Sequence, residues 1–332
     1  MILVNVNIKE VAKKAKVSTA TVSRVISKSA YVSDDLRERV LRTIKSLNYI
    51  PDCNARGLRQ SKTFTVGMVL PDICNSHFSL MFRGAQFELE KHNIGLLVAN
   101  SDENLEKETK ALNMFFLKKV DGLLFIGAGY NEKLENEIFK RNISTVFLGR
   151  KGKGNFPSVS INNYESMKII IKNLYNIGHR KFYYLGGPYN ISSSIKRLNA
   201  VKDFTKEHKN VSLFTTNGDF TYDSGFNRTK NFLEEKGVLF DAIVCANDLI
   251  AFGAIDECRS MNINVPEDVS ITGFDDCFLA SHFVPSLTTI KQPTYEIGRR
   301  GAELLVEYID GKRKRKVHIV LPSELVIRDS SK

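Results

Sequence analysis

The chain has 332 residues, of which 42% are apolar and 26% charged, and its formal net charge is +11. This length allows about two or three domains, and the apolar fraction excludes a wholly disordered chain. No apolar run is long enough to span a membrane and the first residues lack the ordered regions of an export signal, so we expect a cytoplasmic protein with no membrane partner.

The positive charge is concentrated at the start of the chain. Residues 1–62 contain 13 Lys and Arg against 5 Asp and Glu, whereas residues 63–332 contain 35 against 32. A basic segment in front of a nearly neutral body predicts contact with a polyanion. A solvated basic face would give the same imbalance, so charge alone does not decide between the two interpretations.

Apolar spacing in the basic segment predicts three short helices, over residues 8–15, from Thr19 to about Ser27, and from Asp34 onward. A three-residue turn separates the first two helices, which is typical of a helix-turn-helix. In that motif the second helix enters the major groove of DNA. The excess of positive charge favours this interpretation over an ordinary three-helix bundle.

The first turns of the second helix carry the candidate DNA contacts. Arg24 can form a bidentate pair with guanine, worth about 1–3 kcal/mol of discrimination, and Ala20 is small enough to lie against a thymine methyl group. Thr19, Thr21 and Ser23 are expected to hold phosphates and to fix the register.

The segments that follow carry a resemblance to a known family. They read IKEVAKKAKVSTATVSRVIS, LNYIPDCNARGLR and KTFTVGMVLPD. With them the chain resembles the LacI/GalR family of bacterial transcriptional regulators, closest to its catabolite-control branch. The resemblance implies that residues 53–60 form a hinge helix, which folds on DNA and pairs with a dimer mate in the minor groove. The implied contacts there are Asn54, Ala55, Arg56 and Leu58, with Leu58 where the family's leucine wedges between base pairs.

From Thr65 the pattern changes to alternating strands and helices. Apolar strands are predicted at 65–70, 94–99, 121–126 and 143–148, and in a second series at 181–186, 211–215, 242–246 and 268–273. Such strands separated by helices predict parallel, doubly wound sheets, and two series predict two similar lobes. The cleft between the lobes is the expected ligand site.

The body resembles the periplasmic sugar-binding proteins, through segments such as KRLNAVKDF, ANDLIAFGA and VPEDVSITGFDD. The expected fold is therefore an N-terminal all-α helix-turn-helix headpiece plus an α/β periplasmic-binding-protein-like body of two doubly wound parallel-sheet lobes. The expected boundaries are a headpiece at 1–51, a hinge helix and linker at 52–62, an N-terminal lobe at 63–161 with 290–322, and a C-terminal lobe at 162–289 with 323–332.

Two charged residues at strand–helix junctions are predicted to bind a ligand in the cleft. Arg197 and Asp248 could hold neighbouring hydroxyl groups with charge-assisted hydrogen bonds. Asp248 could instead only cap a helix, and Arg197 could be a surface ion-pair partner.

Five further residues complete the predicted effector site. Phe78 and Phe220 could stack on a sugar, although Phe220 could equally belong to the core, and Asp275 is a further acceptor. Asn162 stands where many relatives carry Asp, which weakens a hydroxyl contact there. Arg150 could bind an anionic group or simply solvate its loop.

Other classes of function find little support. No phosphate loop, nucleophile elbow or zinc-protease motif occurs, so we expect no enzyme and no cofactor. The five cysteines are too scattered for a disulfide framework or a zinc site. The basic run 312–316 is distant in sequence from the headpiece, which favours a solvated turn over a second DNA contact.

The sequence thus predicts a homodimeric repressor of carbohydrate-utilisation genes that binds pseudo-palindromic double-stranded operator DNA. A small effector, a sugar or sugar phosphate, would control it. One alternative is a catabolite-control regulator that responds to a phosphorylated carrier protein. That branch uses basic residues where this chain has Glu303 and Glu307, and two acids would repel a phosphoserine. A plain sugar-binding protein is a further alternative.

Overall fold

The computed structural model describes residues 6–27, 30–49, 62–127, 129, 131–150 and 156–332. The chain divides into two compact units, Met1–Thr63 and Phe64–Lys332, which we call the headpiece and the body. Within the described residues, no helix is both long and apolar enough to cross a membrane.

The headpiece contains three helices, α1 (Ile8–Ala15), α2 (Thr19–Ser27) and α3 (Asp34–Ser46), as the apolar spacing predicts. Asn7 begins α1 with a capping box, because its side chain accepts from Glu10 N–H while the Glu10 carboxylate accepts from Asn7 N–H. Lys16 ends α1 in the left-handed conformation with φ 51°. Apolar side chains from all three helices, including Val11, Val22 and Val40, are buried together.

The N-terminal lobe of the body is built on six parallel strands in the order β11-β5-β4-β3-β1-β2. Its first elements are β1 (Thr65–Leu70), α4 (Ser76–Lys91), β2 (Gly95–Asn100), α5 (Leu105–Leu117), β3 (Gly122–Phe125), α6 (Glu132–Lys140), β4 (Ser144–Leu148) and β5 (Ser158–Ile161). Strand β5 was not among the strands expected from apolar runs, because its sequence SVSI alternates serine with apolar residues.

The C-terminal lobe has four parallel strands in the order β7-β6-β8-β9. Its elements are α7 (Asn163–Asn176), β6 (Lys181–Gly186), α8 (Ser192–Glu207), β7 (Ser212–Asn217), α9 (Tyr222–Lys236), β8 (Ala242–Cys245), α10 (Asp248–Ser260), β9 (Ser270–Thr272) and a 3-10 helix (Phe278–Ser281). The same alternation in both lobes confirms the doubly wound body.

The end of the chain passes between the lobes. It forms β10 (Thr289–Lys291), α11 (Thr294–Ile309), β11 (His318–Leu321) and β12 (Glu324–Val326). The stretch 317–327 forms two separate strands, because β11 joins the N-terminal-lobe sheet while β12 pairs antiparallel with β10. Pro322 separates the two strands, and a proline cannot donate a hydrogen bond to a sheet.

Helices α4 and α11 pack so closely that only glycine fits at their contact. A β-carbon at Gly84 would lie 2.0 Å from the carbonyl oxygen of Tyr295, and one at Gly298 would lie 1.9 Å from that of Met81. This contact fixes α11 on the face of the N-terminal-lobe sheet. The segment that connects β10 to α11 is therefore also held beside the cleft.

Candidate functional site

The exposed face of α2 carries the predicted base-reading residues. Thr19, Ala20 and Arg24 are exposed, and Ala20 and Arg24 are four residues apart, so they share one helix face. Such a face is wide enough to present one small and one long side chain to neighbouring base edges.

The other predicted contacts of the headpiece are placed differently. Thr21 and Ser23 are half-buried, and the Thr21 N–H donates to the Ser18 hydroxyl at 3.1 Å, which caps the start of α2. The hydroxyl groups of Thr21 and Ser18 also lie 3.0 Å apart. The predicted hinge contacts lie outside the described residues: Asn54, Ala55, Arg56 and Leu58.

A polar cavity of about 40 Å³ lies between the two lobes of the body. Its lining comprises Asn75, His77, Phe78, Met81, Ile126, Gly149, Arg150, Ser193, Arg197, Phe220, Asn247, Asp275 and Gln292. This volume holds about three water molecules, whereas small-molecule sites usually enclose about 300–1,000 Å³. The lobes therefore have to separate, or side chains have to move, before a monosaccharide can enter.

Arg197 is buried at the floor of this cavity. Its Nε donates to Asn163 Oδ1 at 2.8 Å, its Nη1 donates to the carbonyl oxygen of Ala246, and its guanidinium stacks 3.6 Å from the Phe274 ring centre. Its Nη2 lies 3.8 Å from Asp275 Oδ1. The alternative of a surface ion pair is therefore wrong, since the side chain is held rigidly in the interior.

Arg150 reaches the cavity from the other lobe and is already paired. Its two Nη atoms donate to the Glu103 carboxylate at 2.7 and 2.8 Å, and Nη1 also donates to Gly127 O at 2.6 Å. Its guanidinium carbon lies 5.7 Å from the Phe78 ring and 5.9 Å from the Phe220 ring. Because Phe78 and Phe220 belong to opposite lobes, this cation lies where the lobes meet.

Asp248 is brought to a different place from the other predicted effector residues. Its carboxylate accepts from Cys277 N–H at 2.7 Å and from the Thr289 hydroxyl at 2.6 Å, and it does not line the cavity. It is not the helix cap either, because Asn247 caps α10 by accepting from Ile250 N–H. The carboxylate beside Arg197 is that of Asp275.

Asn162 also lies away from the cavity lining. It is exposed and caps α7, with its side chain accepting from Glu165 N–H at 3.3 Å. Five of the seven predicted effector residues thus meet around one cavity, namely Phe78, Arg150, Arg197, Phe220 and Asp275.

The ionisable groups of the cavity are shifted by burial. Burial, together with the positive charges of Arg197 and Arg150, lowers the pKa of His77 from 6.5 to about 3, so this imidazole is neutral. Burial raises the pKa of Asp275 although Arg197 opposes the shift, and burial together with the charge of Asp275 raises the pKa of Asp248. The cavity therefore offers two fixed cations beside one acid that is hard to ionise, Asp275, whereas Asp248 is shifted in the same direction outside the lining.

Several polar residues of the cavity were missed by sequence reasoning. Asn75, His77, Ser193, Asn247 and Gln292 all contribute to the lining. His77 and Asn247 are sequence neighbours of predicted residues, and that adjacency is the signal that could have found them. Gln292 follows β10 and donates to Asp275 at 2.6 Å, a contact that only the crossover between lobes creates.

Comparison with known proteins covers nearly the whole chain. Residues 7–52 match the bacterial regulatory proteins of the lacI family, and residues 171–331 match a periplasmic binding protein-like domain. The chain is 32% identical to catabolite control protein A of Priestia megaterium, over 99% of this chain and 100% of that protein. It is 33% identical to the ribose operon repressor of Halalkalibacterium halodurans, over 98% and 97% of the two chains.

A solved structure shows the same architecture. The lac repressor dimer, bound to operator and the anti-inducer ONPF, superposes with a TM-score of 0.89 at 25% identity, covering 98% of each chain. The likeness includes both the headpiece and the two-lobed body.

Proposed function

This chain belongs to the lacI family of bacterial regulatory proteins, and we propose that it is a cytoplasmic, sequence-specific repressor whose DNA affinity is set by a small molecule bound in the interlobe cavity. The observation that carries the proposal is the cavity itself, where Arg150 and Arg197 from opposite lobes meet beside Asp275. A ligand there contacts both lobes, so it favours the lobe arrangement that it binds more tightly.

The proposed effector is a sugar or a sugar phosphate. Arg197 and Asp275 offer a donor and an acceptor to hydroxyl groups, and Phe220 offers an aromatic face. Arg150 suits a negatively charged group. The similarity to a ribose operon repressor supports control of carbohydrate-utilisation genes.

The proposed DNA partner is a pseudo-palindromic operator bound by a homodimer. Two headpieces related by a two-fold axis would each present Ala20 and Arg24 to one half-site. A coupling of about 1–3 kcal/mol between effector and operator would be enough for useful control. The expected hinge at 52–62 would transmit the change between body and headpiece. We propose no enzymatic activity.

Regulation by a phosphorylated carrier protein is a second candidate, since catabolite control protein A is among the relatives. The face of α11 argues against it. Glu303 lies 3.5 Å from Arg299 and 3.0 Å from Arg300, and Glu307 pairs with Arg313. The basic groups on this face are therefore already neutralised, and its acids would repel a phosphate.

The proposal is tested by thermal melting of the purified protein with a panel of sugars, sugar phosphates and purines. A ligand at 100 times its dissociation constant adds about 2.7 kcal/mol of stability, which shifts the melting temperature clearly. Hits from one chemical class would identify the effector, whereas a silent panel of sugars and sugar phosphates would contradict the proposed class.

A truncated chain separates a repressor from a plain sugar-binding protein. Removing residues 1–62 should abolish binding to a selected operator while the melting shift with ligand persists. Specific operator binding by the truncated body would contradict the role given to α2.

A further inference from the structure

The loops at one edge of the N-terminal-lobe sheet are rich in lysine and arginine. All six strands are parallel, so the connections that lead into them lie at the same edge, which is also where the chain from the headpiece enters β1. We call this edge the basic edge. Its basic residues in the described part of the body are Lys118, Lys119, Arg141, Lys312, Arg313, Lys314, Arg315 and Lys316, and the described connections hold two acids, Asp121 and Asp310.

The corresponding edge of the C-terminal lobe has no such excess. The connections that lead into its four strands contain Arg180 and Lys209 against Asp241, Glu267 and Asp268. Because the two lobes share one topology, the charge of the basic edge is not a general property of turns in this protein. It belongs to the edge at which β1 begins.

Part of the basic edge is neutralised within the body. Lys312 lies 3.1 Å from Asp310, Arg313 pairs with Glu307, and Arg141 lies 3.9 Å from Glu137. Salt bridges of this exposed kind contribute little to stability.

The remaining cations of the long turn before β11 face solvent. Lys314, Arg315 and Lys316 are exposed, and none of them forms an ion pair with a described residue. Lys314 and Lys316 line a groove of about 610 Å³ together with Glu132 and Glu135. Three exposed cations in one short turn give this end of the edge a positive field that the body does not cancel.

We propose that Lys314, Arg315 and Lys316 contact phosphates of duplex DNA beside the operator, an inference that rests on the proposed DNA-binding function. Strand β11 lies four strands from β1, or about 19 Å at about 4.8 Å per strand. A phosphate contact at this distance from the start of β1 adds affinity without reading sequence.

This inference departs from the solvated turn that sequence distance favoured for residues 312–316. The turn is some 250 residues from the headpiece along the chain, but β11 joins the sheet that β1 enters. Parallel pairing therefore places it at the same edge of the sheet as the start of β1.

The test uses the full chain and an operator selected from a random duplex pool. Binding is measured against salt concentration on two duplexes, one ending at the operator and one extended on each side by about one helical turn. The variant is K314Q/R315Q/K316Q. The matched control K202Q/K206Q/K209Q removes the same charge from exposed lysines of the C-terminal lobe.

We expect wild type and control to bind the longer duplex more tightly and with a steeper salt dependence. The K314Q/R315Q/K316Q variant should lose that gain, with the slope of log affinity against log salt falling by about 2–3, and should match wild type on the short duplex.

Equal slopes for wild type and variant on the long duplex would overturn the inference and would suit an acidic protein surface instead. A wild type that binds neither duplex would contradict the proposed function itself.

Discussion

The Arg150 guanidinium and the Glu103 carboxylate form two hydrogen bonds, of 2.7 and 2.8 Å, behind the interlobe cavity. The cation that suits an anionic ligand thus already has an anionic partner in its own lobe. A charged ligand has to compete with Glu103, whereas a neutral sugar would leave this pair intact. We therefore expect this pair to set the preference of the proposed effector site between a sugar and its phosphate.

Replacing Glu103 with Gln should favour anionic ligands. The E103Q variant leaves Arg150 with a weaker, neutral partner, so a sugar phosphate should bind about tenfold more tightly than to wild type, since charge-assisted hydrogen bonds are worth about 1.5–3 kcal/mol. The affinity of E103Q for the unphosphorylated sugar, measured by titration calorimetry, should stay within about twofold of the wild-type affinity. An R150Q control should lose the preference, and an E103Q variant with unchanged preference would contradict this role.

Asp275 and Asp248 should respond differently to amide substitution. D275N removes the carboxylate beside Arg197 in the cavity and should weaken effector binding at least tenfold, which is about 1.4 kcal/mol. D248N disturbs the contacts to Cys277 N–H and Thr289, so it should lower the free energy of unfolding by about 1–3 kcal/mol. Ligand affinity of the folded D248N protein should be close to wild type.

Denaturant unfolding and ligand titration are measured on both variants, D275N and D248N. If D248N abolished ligand binding while keeping its stability, Asp248 would be an effector contact, as its position in sequence suggested.

Arg24 should carry discrimination at one guanine in each half-site. R24A should lose about 1–3 kcal/mol of preference for that base pair, because alanine cannot donate to guanine O6 and N7. The check is binding to operator variants changed at single positions. R42A is the control, since Arg42 on α3 pairs with Glu38 and should leave the base preference unchanged. An R24A variant with the wild-type ranking would contradict the assignment.

His77 should make stability depend on pH. Its pKa is about 3 in the folded protein and 6.5 when unperturbed, so between these values the unfolded chain binds the extra proton. Stability is therefore fully present above pH 6.5 and is lost as pH falls toward 3. Urea unfolding at several pH values should show a shallower dependence for H77Q.

The acid near His77 has the opposite effect on the pH dependence of stability. Burial raises the pKa of Asp275, which lies 3.9 Å from His77 Nδ1, so the folded protein holds that proton longer than the unfolded chain does. The difference between the pH dependence of stability in wild type and in H77Q therefore gives the contribution of the His77 imidazole. Parallel curves for the two proteins would show that His77 is already protonated or exposed.

Much of the architecture followed from residue patterns. The bounds of α1 and β1 match the prediction, because the amphipathic period of α1 and the continuous apolar run of β1 are both local signals. Four residues of the cavity could be predicted because they follow strands of a parallel sheet, and parallel strands bring the junctions between strands and helices to one cleft. They are Phe78, Arg150, Arg197 and Phe220.

The sequence by itself determined the helix-turn-helix, the two doubly wound lobes and the general place of the cavity, because these depend on local periodicity and on the order of elements. Tertiary structure alone decided which carboxylate meets Arg197, since Asp248 is held by the crossing β10 through Thr289 while Asp275 enters the cavity. It also decided the position of the 312–316 turn. Both outcomes rest on strand pairing between segments far apart in the chain, which local patterns do not specify.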